Sequence, residues 1–158
     1  MGANVSAIPK GYEGATPYLI INGAAKALEF YKKAYGAAEI MRVPAPGGKV
    51  GHAEIKIGNA IVMLADEFPE MNHRSPKALG GTPVSILIYV ADVDSFVKRA
   101  ADAGAKIVTA VDNKFYGDRS GSLEDPFGHH WHIATHVEDV PPDELAKRAE
   151  KFMKPQHA

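Results

Sequence analysis

The chain reads as an α+β protein built from two βαβββ modules, whose strands form a curved mixed sheet around a cavity, with a helix added at the C-terminal end. Three observations predict this. First, a strand-like run, a small capping residue, an amphipathic helix closing on Gly-Ala and a further strand occur twice in that order, with the helix ends Gly36-Ala37 and Gly104-Ala105 standing 68 positions apart. Second, each repeat carries a hairpin signal: Gly58-Asn59 between two β-rich runs, and Asp125-Pro126-Phe127-Gly128 before the histidine-rich run. Third, 158 residues suffice for one domain, or for two small modules sharing a core, but not for two independent domains. Duplication of one unit predicts two modules packed face to face around a continuous cavity.

Taken in order, residues 1–14 hold Gly and Pro and few large apolar groups, which predicts a tail leaning on the surface. The first module is placed at residues 15–67. Residues 15–21 are rich in β-formers, Asn22 offers a helix N-cap, and Ala24, Ala27, Leu28, Tyr31 and Tyr35 recur at helical spacing up to a C′ glycine, Gly36. A short strand at 39–43 stops at PAPGG, and the alternating run 49–57 turns at Gly58-Asn59 into the strand that begins at Ala60. Residues 68–83, with three prolines and two adjacent glycines but no period, are expected to form a linker loop. The second module, residues 84–139, restarts with VSILIYV, a helix capped by Asp92 or Asp94, and a strand at 106–110; two more strands come from residues 116–136. In residues 140–158, Pro141-Pro142 opens a helix. Its apolar stripe of Leu145, Ala149, Phe152 and Met153 needs a partner, either the protein's own body or a second subunit.

Composition narrows the function. Eighteen basic against nineteen acidic side chains, with no basic cluster, argue against a nucleic-acid partner. The absence of cysteine removes disulfide and thiolate chemistry. No apolar run approaches the roughly 18 residues of a membrane span, and the N-terminal residues lack a signal-peptide layout, so a cytoplasmic protein without a membrane partner is expected. Gly2 and Ser6 match a myristoylation signal only superficially, without a polybasic companion. There is no Gly-rich phosphate loop after a strand, no strained nucleophile elbow and no helical pair of metal-binding histidines.

Strand register identifies candidate chemistry. If Gly58-Asn59 is a two-residue turn, Ile57, Ile55 and Ala53 face Ala60, Val62 and Leu64 on an apolar side meant for the helix. Glu54 then lies across from Met63, and His52 across from Ala65, on the cavity side. Glu54 and His52 can be a general base with its orienting partner, a polar pair reading a ligand, or a cross-strand pair that merely satisfies itself. In the last strand His130, His132 and His136 share one face, while Trp131 and Ile133 share the other and should be core. Arg119 presents a planar donor fork for a carboxylate or phosphate, or else braces Glu124 or Asp125; Tyr116 can stack on a ligand ring. Asp66-Glu67 is read as a solvated acidic edge.

The strings FYKKAYGA, YVADVDSFVKRAADAGA and EDPFGHHWHI, in that order across two βαβββ units, resemble the vicinal-oxygen-chelate superfamily of glyoxalase I, extradiol dioxygenases and fosfomycin- and bleomycin-resistance proteins. HAEIKIGNAIVMLADE and FYGDRSGSLEDPFGH are similar to its PhnB-like branch, and the resemblance covers residues 15–139. In metal-binding members, ligands come from the first and last strand of each unit. By motif these positions are Thr16, Met63, Ser85 and His132, of which only His132 is a good ligand. The resemblance therefore implies no cofactor, with a displaced divalent metal on Glu54 and His132 as the exception. It implies a protein that binds, sequesters or isomerises a small organic ligand, with Glu54, His52 and His132 as its polar or catalytic centre and Tyr18, Met63, Tyr89, Tyr116 and Arg119 as ligand contacts. Ile20 and Leu87 would complete the walls. The alternative is a metal-dependent lyase or isomerase of glyoxalase type; a third reading is a scaffold whose cavity is filled by side chains. A homodimer is expected, with modules paired within or across chains.

Overall fold

The structure, a computed structural model, describes residues 5–154; Gly2 of the myristoylation match and residues 155–158 of the expected C-terminal tail lie outside them. The chain divides into two compact units, Met1–Gly81 and Thr82–Ala158. The first contains β1 (Tyr18–Ile21), α1 (Ala24–Tyr35), β2 (Ala38–Ala45), β3 (Lys49–Ile57) and β4 (Ala60–Asp66) in a sheet ordered β1-β4-β3-β2. A short helix, α2 (Pro76–Leu79), follows. The second contains β5 (Ser85–Tyr89), α3 (Val93–Asp102), β6 (Lys106–Asn113), β7 (Asp118–Glu124) and β8 (His130–His136) in the order β5-β8-β7-β6, then α4 (Pro142–Met153). In each sheet the first strand runs parallel to the fourth and the remaining pairs are antiparallel. The βαβββ unit is thus present twice. No helix among the described residues is long and apolar enough to cross a membrane.

In the first unit the turn at Gly58-Asn59 sets the register read from the sequence: Ile57 pairs with Ala60, Ile55 with Val62, Glu54 with Met63 and Ala53 with Leu64. Ala53, Ile55, Val62 and Leu64 are buried beneath α1, whose Ala27, Leu28, Tyr31 and Ala34 are fully buried. Burying a side chain of the size of Leu28 contributes about 1.5–3 kcal/mol. The start of α1 differs from expectation. Its cap residue is Gly23, in the left-handed region at φ 95°, and neither Asn22 nor any other cap side chain at that residue satisfies the helix end. Asp66 does so from the end of β4: its Oδ1 accepts the N–H groups of Gly23 and Ala24 at 3.0 and 2.9 Å, and its Oδ2 accepts that of Val50 at 2.7 Å. Asp66 is therefore a buried link between helix and sheet, not part of a solvated edge.

In the second unit Asp92 caps α3 by accepting from Ser95 N–H at 3.1 Å. Trp131, Ile133 and Leu123 form the sheet side of the core against Val93, Phe96, Val97 and Ala100 of α3. The turn Asp125–Gly128 closes with Gly128 N–H on the Asp125 carbonyl, while the Asp125 carboxylate accepts from Phe127 N–H, His129 N–H and the Trp131 indole at 2.9, 3.0 and 2.9 Å. One buried carboxylate thus ties the turn to the core. The linker is less irregular than its composition suggests: it holds a 3-10 turn at Pro69–Met71 and α2, which Ser75 caps from Oγ. β6 runs three residues beyond the expected strand. The stripe on α4 is only half covered, with Phe152 stacked on Phe115 at 5.0 Å between ring centroids and no α4 residue buried.

Replacing Asp66 or Asp125 by Ala strips three N–H donors of their acceptor, and each change is expected to cost about 2–4 kcal/mol, seen as a lower urea midpoint at unchanged slope. Asp102→Ala, which removes only an exposed pair with Lys98, should stay within about 0.5 kcal/mol of the parent.

Candidate functional site

Each sheet has one face sealed by its helix and one face left open. On the open face of the first sheet, register aligns Tyr18 of β1, Met63 of β4, Glu54 of β3 and Met41 of β2 in one row. His52 and Val43 are paired one step further along. Glu54 is only 7% exposed, although it lies on the open side. A carboxylate so placed needs donors. The hydroxyl of Tyr12 donates to Oε2, and His52 Nε2 lies 3.0 Å from Oε1. The second nitrogen of His52, Nδ1, is 2.9 Å from the Tyr18 hydroxyl. In the neutral ring the Nε2 proton faces Glu54, so Nδ1 accepts from Tyr18; the hydrogens all run inward, and the Tyr18 oxygen keeps its lone pairs for an incoming donor. Tyr12 first, then His52, holds the Glu54 carboxyl below its ordinary range. Burial and the Glu54 charge push the Tyr18 phenol up. Around this polar centre Tyr18, Met41 and Val43 stay exposed.

Four of the expected site residues, Tyr18, His52, Glu54 and Met63, therefore come together in the first unit. His132, Tyr89 and Tyr116 belong to the second. His132 is exposed on the open face of its sheet, paired with Leu87 on one side and Ser122 on the other. The Tyr89 hydroxyl donates to Asp118 Oδ2 at 2.6 Å, and the Tyr116 hydroxyl lies 3.5 Å from Ser120 Oγ. Arg119 points the other way, with Leu123 and Thr135, toward α3. It does brace the structure, but through Asp94 and not Glu124 or Asp125: Nε and Nη2 donate to the Asp94 carboxylate at 2.7 and 2.8 Å, and Nη1 donates to Asn113 Oδ1 at 3.2 Å.

Two participants were missed from sequence. Tyr12 belongs to the leading tail, where no period points to a partner 42 residues away. The pairing of Asp118 with His136 was within reach: counting back from the Asp-Pro-Phe-Gly turn with Glu124 opposite His130 puts Asp118 opposite His136.

Among the described residues, the side chains at the positions read from the resemblance do not make up a ligand set for a divalent metal. Thr16, Met63, Ser85 and His132 offer a single imidazole, both oxygens of Glu54 are engaged by Tyr12 and His52, and no group of three His, Cys, Asp or Glu among the described residues is arranged to hold an ion.

The Glyoxalase/Bleomycin resistance protein/Dioxygenase superfamily model matches residues 15–133. An uncharacterized Mycobacterium bovis protein, Mb0911c, is 46% identical over 133 residues, an alignment covering 82% of this chain and 88% of that protein. Among solved structures, TioX from Micromonospora sp. ML1 shares 26% identity at a TM-score of 0.62, over 82% of this chain and all of TioX. FosX, a fosfomycin resistance protein of Listeria monocytogenes solved with Mn(II) and sulfate, shares the fold at 18% identity and a TM-score of 0.61, over 87% of this chain and 98% of its own. Three quarters of the sequence thus carries one family's pattern on that family's repeated βαβββ frame, and the chain belongs to the Glyoxalase/Bleomycin resistance protein/Dioxygenase superfamily.

Proposed function

We propose that this protein binds a small organic ligand on the open face of its first sheet, without a divalent metal. The observation that supports it is the Tyr12, Glu54, His52, Tyr18 chain, a buried carboxylate and its donors, surrounded by exposed apolar side chains of Met41 and Val43. Such a mixture of apolar wall and few polar groups is what a small-molecule site requires. Tyr18, its hydroxyl proton held by His52, reads a donor group on the ligand; Met63 and Met41 contact its apolar part. In an enzymatic reading the same pair supplies the base: Glu54 orients the imidazole through Nε2, while a proton taken from the ligand enters through Tyr18 to Nδ1. The protein works as a homodimer. A metal-dependent lyase or isomerase of glyoxalase type is the competing outcome.

Native mass spectrometry and elemental analysis of protein purified without a metal-affinity tag separate these readings. The expected spectrum shows a dimer carrying a low-mass organic adduct, with no stoichiometric divalent metal. A metal present at one per chain, whose chelation lowers the melting temperature sharply, would sink the metal-free reading. Glu54→Gln and His52→Gln should each release the adduct while keeping a cooperative thermal transition; retention in both variants refutes the site.

Acid stability gives a second check. Because the Glu54 carboxyl sits below its ordinary value of 4.5 in the folded chain, its contribution to stability is fully present above that pH and is lost as pH falls through the lowered folded value. In a urea series from pH 6 downward, about 6 to 2, Glu54→Gln should flatten this part of the acid limb; an unchanged limb would show that the Tyr12 and His52 contacts do not form in solution.

A further inference from the structure

The second unit carries a cluster of titratable groups that the first site leaves unused. Asp118 is 6% exposed at the start of β7, with Tyr89 O–H donating to Oδ2 at 2.6 Å and His136 Nδ1 2.7 Å from Oδ1. The other ring nitrogen of His136, Nε2, lies 3.0 Å from Asp139 Oδ1. Carboxylates have no hydrogen to give at neutral pH, so an imidazole between two of them satisfies both contacts only when both of its nitrogens are protonated. Asp118 first, then Asp139, raises the His136 pKa in the same direction.

The two carboxylates are not equivalent. Asp118 is buried and held a second time by Tyr89, whereas the Asp139 side chain is fully exposed in the segment after β8. The first belongs to the frame; the second can leave. The backbone enforces the buried half. Gly117, at φ 99°, sits so close to the segment after β8 that an added Cβ would lie 2.1 Å from the Glu138 carbonyl oxygen. The Gly117 carbonyl accepts from both Val137 N–H and Glu138 N–H at 2.9 and 3.0 Å, fastening the start of β7 to the end of β8 and setting Asp118 opposite His136.

We propose that Tyr89, Asp118 and His136 form an anion-accepting centre, in which His136 Nε2–H binds the carboxylate of a small ligand in the place Asp139 occupies, with Tyr89 beside the ligand's apolar body. Asp139 is the internal stand-in that identifies the ligand's chemistry: an oxyanion presented end-on to one imidazolium N–H. Tyr89, paired with Ala134 two residues from His136, is more than half exposed on the same open face. The centre suits a monoanion, since the imidazolium charge is already shared with Asp118 and a second negative group on the ligand would face Asp139.

The test uses the full-length ¹⁵N-labelled protein titrated with sodium benzoate, and with benzyl alcohol as an uncharged counterpart of similar shape. Saturable shift changes centred on His136 and Tyr89 are expected with benzoate and not with benzyl alcohol. His136→Gln should weaken benzoate binding about tenfold or more, the equivalent of one charge-assisted hydrogen bond. Asp139→Ala, at a fully exposed position, should bind benzoate several-fold more tightly because the internal competitor is gone. Equal binding of benzyl alcohol, shifts scattered away from His136, or Asp139→Ala affinity equal to or weaker than the parent's would each overturn the proposal. Because every probe reports on the second unit, a failure here is distinct from failure of the first-sheet site.

Discussion

A carboxylate withdrawn from water must be met by donors, and much of this structure is arranged around four that are. Asp66 and Asp125 accept mainly backbone N–H groups: one joins the first turn of α1 to the end of β4 and the start of β3, the other closes the turn before β8 and holds the Trp131 indole. Glu54 and Asp118 instead accept from a tyrosine hydroxyl and a histidine ring. The first pair has no hydrogen-bonding capacity left to offer a ligand through its partners, because backbone N–H groups are consumed by the bond. The second pair has partners that still carry free lone pairs or an exchangeable second nitrogen. That difference separates structural acids from candidate functional ones more sharply than burial does, since all four are buried to a similar degree.

The two units share a frame and differ in chemistry. By register, the place that Glu54 takes opposite Met63 is taken in the second unit by Ser122 opposite His132. The second unit's carboxylate enters two pairs beyond Ser122, at Asp118, where the chain turns into β7. Helix packing constrains only the sealed face of each sheet, so the open faces are free to carry different polar groups on the same topology. The same freedom lets one topology carry different chemistry on its open faces.

The sheet pattern and much of the first site were legible in the sequence because they follow from local rules. Gly58-Asn59 sets a two-residue turn, and period-two alternation then places Glu54 beside Met63 and sends Ile55 and Val62 to the helix. Gly36 ends α1 in the left-handed region, at φ 66°, and Trp131 and Ile133 lie in the core, as spacing predicts. What could not be read were contacts between elements joined by no period. Asn22 looked like the cap of α1, but the acceptor came from Asp66, 42 positions away from the N–H of Ala24. Arg119 looked positioned for Glu124 or Asp125 along its own hairpin, yet its fork closed on Asp94 at the start of α3.

The sequence by itself determined the repeated βαβββ units, the inward and outward faces of the hairpin strands and the family, since turn chemistry and hydrophobic period act over a few residues and leave their mark wherever they act. Only the tertiary structure decided which partner each buried acid receives. Tyr12 reaches Glu54 from the tail, and Tyr89 reaches Asp118 from β5. Such pairings depend on where separate elements are brought by packing, and a side chain's need for a donor does not specify which donor will answer it.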